Sequence, residues 1–447
     1  MTSPASGVWV RGLGLVPWLA AAVLIAAFGG VQPQWYLPVF AALFLAAGVE
    51  LWLPGPRPAR AAWWLAGLLA LPLFQLAVRS TADAVATQTE FLEILAAVAA
   101  FGLVWRASAR DRGYLDRLLS FAAIGGAFLA AAAIVQSLAS PAWIWGVHHV
   151  AAGTPVGSFV NHNDFAACME LLLPAGLAMA LLPHRTAVRA GAWAFAPALM
   201  IAAVVLSASR GGAFAVAVEL AAFSLLLLRR HPGGGRIGLA VALLVIAFSL
   251  AVGVGPLWQR LGHSEVDAAT RVNLDVSSLQ MGMDRPWLGW GLGAWPAVYP
   301  RFARFDNGLR FGFAHDEYAQ WWAESGLVGT ILLLALALAL AAAWRRAPEL
   351  PRDSHPPEAR ALAALAASPP AADRLRLVAF RIAAAAFLLH AGIDFLFHIP
   401  ALLTTFAVIA AAGVTALPPR PTGWIRARAL ATSLAATPTI NHESPLR

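Results

Sequence analysis

The sequence contains a series of apolar runs whose lengths approach the roughly 20 residues that an α-helix needs to cross a bilayer. Hydrophobic residues make up 60% of the 447 residues and charged residues only 12%, more apolar surface than a water-soluble globule of this size can bury. We therefore predict an all-α polytopic membrane protein with about twelve transmembrane helices. The predicted spans are 13–30, 36–53, 61–78, 91–106, 117–138, 163–183, 191–208, 212–229, 236–254, 323–344, 376–393 and 399–416.

One long polar stretch, Gly255 to Glu324, interrupts this pattern between the ninth and tenth predicted spans. Connections that lack structure of their own rarely exceed about 12–15 residues unless they have a function, and this one is rich in Trp and Gly. It contains TRVNL at 270–274, RPWLGWGLGAW at 285–295 and FAHDEYAQWW at 313–322. We interpret 255–322 as a loop that carries the active site.

The loop divides the chain into an N-terminal membrane bundle at 1–254 and C-terminal spans at 323–417. Residues 345–374, rich in Ala, Pro and charge, are predicted to form a cytoplasmic linker. The tail at 418–447 is predicted to be disordered, and its basic character suits contact with anionic lipid.

The distribution of arginine predicts the orientation. The formal charge of +8 arises without any lysine, and in a membrane protein a basic excess reports topology before nucleic-acid binding. Because cytoplasmic loops retain positive charge, we predict cytoplasmic termini and an extracytoplasmic 255–322 loop; long loops cross the membrane largely regardless of charge. The opposite short connections carry only Arg79 and Arg210. The arginine-rich connections contain Arg57 and Arg60; Arg106, Arg110, Arg112 and Arg117; Arg185 and Arg189; Arg229, Arg230 and Arg236; and Arg345, Arg346, Arg352 and Arg360.

Arg210 lies in the segment SASRGG, in a short turn between two predicted spans. Charges in membrane segments are costly and are functional candidates by default, although an arginine at a helix end can also extend to the interface for solvation. Gly211 and Gly212 would free the backbone to approach a ligand, and the next predicted helix begins with exposed N–H groups at the same place. We therefore take Arg210, Gly211 and Gly212 as candidates.

Arg271 lies in a segment whose apolar residues recur at helical spacing. The pattern predicts an amphipathic helix with Arg271 on its first turn, lying against the membrane surface or against the bundle. An arginine on such a helix is usually a solvated or headgroup contact, so this feature alone is weak evidence of function. The apolar stripe consists of Val272, Val276, Leu279 and Met283.

His315 is predicted to lie on the first turn of a helix that leads into the span 323–344. There the helix macrodipole disfavours the imidazolium, which would keep the histidine neutral and able to accept a proton. The alternative is a histidine that caps the helix or bonds a neighbouring carbonyl. Other histidines on the same predicted side are as available by position alone: His148, His149, His162 and His263.

Further polar residues complete the set of candidates. Asn161 and Asn163 are helix-capping types just before an apolar run, and their amides could also bind a ligand. Arg285, Trp290 and Tyr318 are substrate-binding candidates in or next to the loop. The loop tryptophans could contact a substrate or anchor the loop in the membrane interface, and anchoring is slightly favoured. Four glutamates in or near spans are expected to pair within the bundle: Glu50, Glu93, Glu170 and Glu219.

No metal or cofactor site is predicted. The HDE segment at 315–317 lacks the spacing that places two ligands on one helix face, and Cys168 is the only cysteine. Neither a phosphate-binding Walker loop nor a dinucleotide-binding glycine motif occurs, so nothing indicates a nucleotide site.

The order of four blocks resembles the O-antigen ligase and O-antigen polymerase superfamily: GSFVNHNDFA, SASRGG, TRVNLDVSSLQMGMDRPWLGWGLGAW and AHDEYAQWWAESGLVG. The resemblance covers roughly 155–345 and extends to the first five spans by hydropathy alone. Arg210 and Arg271 match two arginines of the family, and His315 matches the histidine that usually precedes Asn. Here Asp316 replaces that Asn, which bears on any hydrogen bond that the amide would donate.

The resemblance implies a GT-C-type glycosyltransferase that takes a glycan from a polyprenyl pyrophosphate carrier at the outer face of the bacterial inner membrane. The two arginines would bind the pyrophosphate through bidentate hydrogen bonds, and His315 would deprotonate the acceptor hydroxyl, with no metal or nucleotide required. The acceptor, whether lipid A core, a growing polysaccharide or a protein, stays open. A small-solute transporter is the alternative from another class, although the strongest features lie at the predicted outer rim, not at mid-membrane.

Overall fold

A computed structural model describes residues 4–53, 61–111, 113–151, 153–184, 186–228, 264–305, 308, 310–345 and 371–415. The predicted span 236–254, most of the linker 345–374 and the tail 418–447 lie outside these ranges. The statements below concern the described residues.

Thirteen α-helices form the described part of the chain, joined by short 3₁₀ turns at Phe28–Gly30 and Tyr299–Arg301. A two-residue antiparallel hairpin pairs β1 (Trp143–Ile144) with β2 (His148–His149). The helices are α1 Pro4–Ala26, α2 Pro33–Leu51, α3 Ala61–Ala77, α4 Ala84–Arg110, α5 Tyr114–Ala139, α6 His162–Leu181, α7 Ala187–Ser207, α8 Arg210–Leu228, α9 Ser264–Asp284, α10 Trp295–Val298, α11 Glu317–Arg345, α12 Ala371–His390 and α13 Pro400–Val414.

Length and hydropathy place most of these helices in a membrane. Within the described ranges, six helices are long and apolar enough to span a bilayer, and three shorter apolar helices accompany them. The all-α membrane class is therefore confirmed, while the count of about twelve spans stays a prediction. The six are α2, α4, α5, α6, α7 and residues Glu317–Trp344 of α11; the shorter apolar segments are Gly12–Ala26, Trp63–Ala77 and Pro400–Val414.

Helix α6 lies at the centre of the bundle. After its polar first turn it is apolar on all sides except for Glu170, and 89% of its membrane-length window is buried. It packs against α5, α7, α8 and α12. Helix α11 is the opposite case, because only 11% of its membrane-length window, which is more apolar than that of α6, is buried. Its side chains Ile331, Leu334 and Leu338 point away from the bundle.

Several chain connections meet at one end of the bundle, which we call the loop end. The indole Nε1 of Trp145 donates to the carbonyl of Ala26 at 2.8 Å, joining the hairpin to the end of α1. The backbone N–H of Ala82 donates to the carbonyl of Trp290 at 2.8 Å, and that of Glu317 donates to the carbonyl of Ala391 at 3.0 Å. The loop end therefore gathers the starts of α4 and α11 and the ends of α1 and α12.

The segment 285–302 forms a small core of its own against α9. Trp295 is fully buried, stacks on Tyr299 with ring centroids 4.5 Å apart, and donates its indole N–H to Ser278 at 2.9 Å. The buried carboxylate of Glu324 accepts from the backbone N–H groups of Gly293 at 3.0 Å and Trp295 at 2.9 Å. The segment is thus held tightly to the first turns of α11.

Glycine explains how this segment comes so close to α11. Gly289 has φ 64°, and a Cβ there would lie 2.3 Å from the carbonyl carbon of Glu324. Only glycine combines that left-handed conformation with such an approach. Gly289 therefore serves the packing of the segment 285–302 against α11.

Glutamates within the bundle have different fates. Glu50 pairs with Arg106 at 2.7 Å and with Arg110, as predicted, at the end of the bundle opposite the loop end. Glu170 pairs with His390 at 2.9 Å. Glu93 and Glu219 each keep at least one buried carboxylate oxygen without a hydrogen-bond partner among the described residues.

Candidate active site at the loop end

His315 lies in the segment that precedes α11, not on its first turn as the sequence predicted. Helix α11 begins at Glu317, and the carboxylate of Asp316 caps it by accepting from the N–H groups of Tyr318 at 2.8 Å and Ala319 at 3.0 Å. The capping alternative for His315 is therefore wrong, because Asp316 does the capping. An asparagine could accept the same hydrogen bonds, so the change from the family's Asn to Asp316 keeps this acceptor role.

The backbone of His315 is in the left-handed region, with φ 62°. Residues other than glycine adopt this conformation at a cost of roughly 1–2 kcal/mol, and such residues concentrate at functional sites. Here the conformation turns the histidine side chain away from α11. The imidazole meets Phe395 edge-on, with ring centroids 4.7 Å apart.

Asp394 is the direct partner of His315. The imidazole Nδ1 lies 3.1 Å from a carboxylate oxygen of Asp394, whose side chain is only 3% exposed, whereas that of His315 is 29% exposed. A donor Nδ1–H fixes the tautomer and leaves the outer nitrogen, Nε2, free to accept a proton. Sequence reasoning missed Asp394, whose only signal was an acidic residue in the short, arginine-free connection 394–398.

The electrostatic surroundings of Asp394 favour its ionised form. Burial alone would raise the pKa of Asp394, but the hydrogen bond from His315 and the nearby charges of His315 and Arg271 lower that pKa below its ordinary value. The carboxylate is therefore a buried negative charge, and it contacts two residues that the sequence singled out and accepts from the backbone N–H of Phe395 at 3.0 Å.

Arg271 reaches the same connection from α9. Its guanidinium donates to the carbonyl of Ile393 at 2.7 Å and lies 4.0 Å from the carboxylate of Asp394. The side chain is 34% exposed. Helix α9 begins at Ser264, so Arg271 lies about two turns into it, not on the first turn that the sequence predicted. Arg271 and His315 thus meet through Asp394.

Asp275, one helical turn after Arg271, is a second acidic residue that the sequence did not suggest. Burial and the neighbouring Asp316 raise its pKa to about 6, while Arg271 and His315 act in the opposite direction. One of its carboxylate oxygens is buried without a hydrogen-bond partner among the described residues. The site therefore contains a carboxyl group that titrates near neutral pH.

Arg210 is the first residue of α8, and its side chain is partly buried. Gly211 packs against His390: a Cβ at Gly211 would lie 2.2 Å from Nε2 of that histidine. Gly212 packs against Ala166 in α6 in the same way. Both glycines thus bring α8 close to its neighbours, and their role in ligand binding stays a prediction. His390, missed by the sequence, joins the start of α8 to α12, which leads directly into Asp394.

Asn161 caps α6, as its residue type predicted: its side-chain oxygen accepts from the N–H of Asn163 at 2.9 Å. The side chains of both asparagines are partly buried. Their role as ligands for a substrate is untested by this geometry and stays a prediction.

The three remaining candidates have defined partners in the structure. Arg285 donates to the carbonyl of Ser80 at 2.9 Å and lies over the Trp290 ring at 3.8 Å from the ring centroid. Trp290 is buried and donates to the carbonyl of Met281 at 3.0 Å. Tyr318 is 44% exposed and donates its hydroxyl to the carbonyl of Leu388 at 2.6 Å. One face of the Trp290 ring is therefore already covered by a guanidinium, whereas the side chain of Tyr318 is exposed.

Among the described residues, no set of three or more His, Cys, Asp or Glu side chains is arranged to hold a metal ion. The described residues of the site supply groups for acid–base and electrostatic chemistry. These groups are an oriented imidazole, a guanidinium with free surface and a carboxyl group with a raised pKa.

A family model described as O-antigen ligase matches residues 195–334. The matched region begins in α7, ends in α11 and includes Arg210, Arg271 and His315. The match confirms the resemblance to the O-antigen ligase and polymerase superfamily over this part of the chain. A search of the curated proteins finds no match.

Proposed function

We propose that this member of the O-antigen ligase and polymerase superfamily transfers a glycan from a polyprenyl pyrophosphate carrier to an acceptor hydroxyl. The family match supports a membrane glycosyltransferase. The observation that carries the mechanism is the arrangement of His315, Asp394 and Arg271 at the loop end. In this proposal the loop end faces the extracytoplasmic side of the bacterial inner membrane, and both termini are cytoplasmic.

His315 is the general base of the proposed reaction. Asp394 accepts a hydrogen bond from Nδ1, so Nε2 takes the proton of the acceptor hydroxyl. The acceptor oxygen attacks the anomeric carbon in line with the bond to the phosphate oxygen. As the new C–O bond forms, the old one breaks, and the polyprenyl pyrophosphate leaves with the bonding electrons. The proton stays on His315 until the product departs.

Arg271 and Arg210 stabilise the leaving group. Negative charge grows on the pyrophosphate as the bond breaks, and a guanidinium can bind two phosphate oxygens at once. Arg271 uses one nitrogen to bind Ile393 and keeps about a third of its side chain exposed, so its remaining donors are available. Arg210 lies at the start of α8, where the helix dipole also favours an anion. Such groups make the reaction independent of a metal ion.

The remaining candidates would bind the sugars and the acceptor around this centre. Tyr318, whose aromatic side chain is exposed, suits contact with a glycan. Asn161, Asn163 and Arg285 can donate hydrogen bonds. The acceptor itself is lipid A core, a growing polysaccharide or a protein. A small-solute transporter is not supported by the family match.

The proposal is tested by reconstituting the purified protein in vesicles with a polyprenyl-pyrophosphate-linked glycan and candidate acceptors. We expect a glycosylated acceptor and one released polyprenyl pyrophosphate per transfer, with activity retained in a metal chelator. A control without acceptor should release no carrier. Absence of transfer with every acceptor class, together with solute uptake into the vesicles, would contradict the proposal in favour of the transporter. Loss of transfer in chelator would contradict the metal-independent mechanism.

A further inference from the structure

Helix α9 has two apolar faces: one, with Leu274 and Met281, is fully buried in the loop core, and the other is exposed. Val272 is 58% exposed, Leu279 44% and Met283 67%. The opposite face is held in the loop core, where Ser278 is buried and accepts the Trp295 indole hydrogen bond. In water a surface helix would turn its apolar stripe inward, so this stripe requires an apolar neighbour.

The stripe continues into the face of a membrane helix. Just after α9, Trp287 is 69% exposed. The carbonyls of Pro286 and Trp287 accept from the N–H groups of Leu327 at 2.7 Å and Val328 at 3.2 Å. Leu327 and Val328, which are themselves exposed, begin the outward face of α11, and a helix that spans the bilayer with so little burial meets lipid along that face. The stripe and this face therefore form one apolar surface.

The two flanks of the stripe differ in character. At about 100° per residue, Arg271 and Asp275 lie roughly 70–110° around the helix from the centre of the stripe. They are on the flank that faces His315 and Asp394. Gln280 and Asp284 lie about as far round on the other flank and are exposed. Polar flanks around an apolar stripe are typical of a helix that lies in the membrane interface.

We propose that α9 is an interfacial helix whose stripe, defined as Val272, Val276, Leu279 and Met283, lies in the outer lipid layer with Trp287. Trp287 lies at the boundary between headgroups and acyl chains, where tryptophan is favoured. The stripe then borders the site on its lipid side. The side chains of Arg271 and Asp275 then face the lipid headgroup layer, at the level where the phosphate of a membrane lipid lies.

This geometry assigns the substrate's route of entry. A lipid-linked donor would reach Arg271 by lateral movement in the outer lipid layer beside the stripe. This consequence rests on the proposed function. The placement of the helix in lipid does not, and it is measured without any glycan transfer.

The test uses single-cysteine labelling, because the chain's own cysteine, Cys168, is buried. Leu279→Cys and Met283→Cys carry an environment-sensitive fluorophore, and Gln280→Cys is the matched control on the same helix. The labelled proteins are reconstituted in phosphatidylcholine vesicles. Fluorescence is then quenched either by lipids with a nitroxide near the headgroup or by iodide in the water.

We expect emission at shorter wavelength and strong nitroxide quenching at positions 279 and 283, and strong iodide quenching at 280. Equal iodide quenching at all three positions would overturn the proposal, because the stripe would then face water. Protection from both quenchers at 279 and 283 would overturn it as well, since the stripe would be covered by protein. Each outcome can be read from a folded but inactive protein, so failure of the proposed function is distinguished from failure of this inference.

Discussion

The two ends of the bundle each hold arginine beside a buried carboxylate, but the two clusters are built differently. At one end Glu50 accepts from Arg106 at 2.7 Å and from Arg110, and Arg106 also donates to the carbonyls of Glu50 and Leu53. At the loop end, Asp394 bonds to His315 at 3.1 Å, and Arg271 lies 4.0 Å from that carboxylate.

Exposure and backbone conformation sharpen the difference. The side chains of Arg106 and Arg110 are 15% and 20% exposed, against 34% for Arg271 and 29% for His315. His315 also has a left-handed backbone. A cluster whose charges are enclosed and paired with each other acts on the stability of the fold. A cluster with exposed hydrogen-bond donors and a strained backbone can also bind a ligand. An arginine next to a carboxylate therefore indicates a binding site only when the guanidinium keeps exposed surface and hydrogen-bond donors that the protein does not use.

The largest contrast is expected when each arginine is replaced by lysine. Arg271→Lys removes the planar fork that binds two phosphate oxygens, so transfer should fall on the order of 10²–10³-fold, with Arg210→Ala falling similarly. Arg106→Lys, the matched control, should leave transfer per folded molecule unchanged. Turnover of purified proteins, normalised to the folded fraction, measures both. Wild-type turnover by Arg271→Lys would remove the fork model, although a role for its charge could survive.

Removing the two carboxylates should separate positioning from stability. Asp394→Asn keeps the size of the side chain but no longer fixes the His315 tautomer, and transfer should fall at least about 10–100-fold, the loss found when a residue that orients a metal-bound histidine is changed. Glu50→Gln leaves two arginines without their anion and should lower the free energy of unfolding by about 3–5 kcal/mol while sparing turnover. Turnover and the free energy of unfolding in denaturant are measured on each variant to test both expectations. Equal loss of turnover in both variants would erase the distinction between the clusters.

The smallest effect concerns pH and Asp275. Its pKa is raised to about 6, so the folded chain holds this proton more tightly than the unfolded chain does. The stability from this group is complete below its ordinary pKa of 3.8 and is lost as the pH rises through about 6. Asp275→Asn should therefore melt at a higher temperature than the wild type above pH 6, with the difference shrinking toward pH 4. Melting curves across this range test it.

Asp284→Asn, on the exposed flank of α9, is the control for that measurement. Only a pH-dependent change in melting that Asp284→Asn does not share is assigned to Asp275. A difference between Asp275→Asn and the wild type that stays constant with pH would show that Asp275 does not titrate in this range.

Hydropathy predicted the membrane class because a spanning helix must be apolar over nearly its whole length. It did not predict which helix is central. The windows of α6 and α11 are both apolar enough to span a bilayer, yet the less apolar one, in α6, is enclosed and that of α11 faces outward. That difference depends on which neighbours pack on each helix, and hydropathy along one segment does not contain it.

The site was predictable where a residue type is unusual in its local context. Arg271 and His315 were found in this way, and they do meet. Asp394 and His390 were not, because their roles depend on contacts with residues many positions away in the chain. The predicted first-turn positions of Arg271 and His315 were wrong for a similar reason: α9 begins earlier and α11 begins later than the local pattern suggests.

The central claim is that His315 performs chemistry, and His315→Asn tests it most directly. Asparagine tolerates the left-handed backbone that His315 adopts, so this variant changes the imidazole without adding strain. Donor binding and transfer should be measured in parallel on the same purified protein, with His315→Ala beside it. The account predicts donor affinity close to that of the wild type and transfer reduced about 10²–10⁴-fold in both variants. An Asn variant that transfers glycan at the wild-type rate would contradict the account.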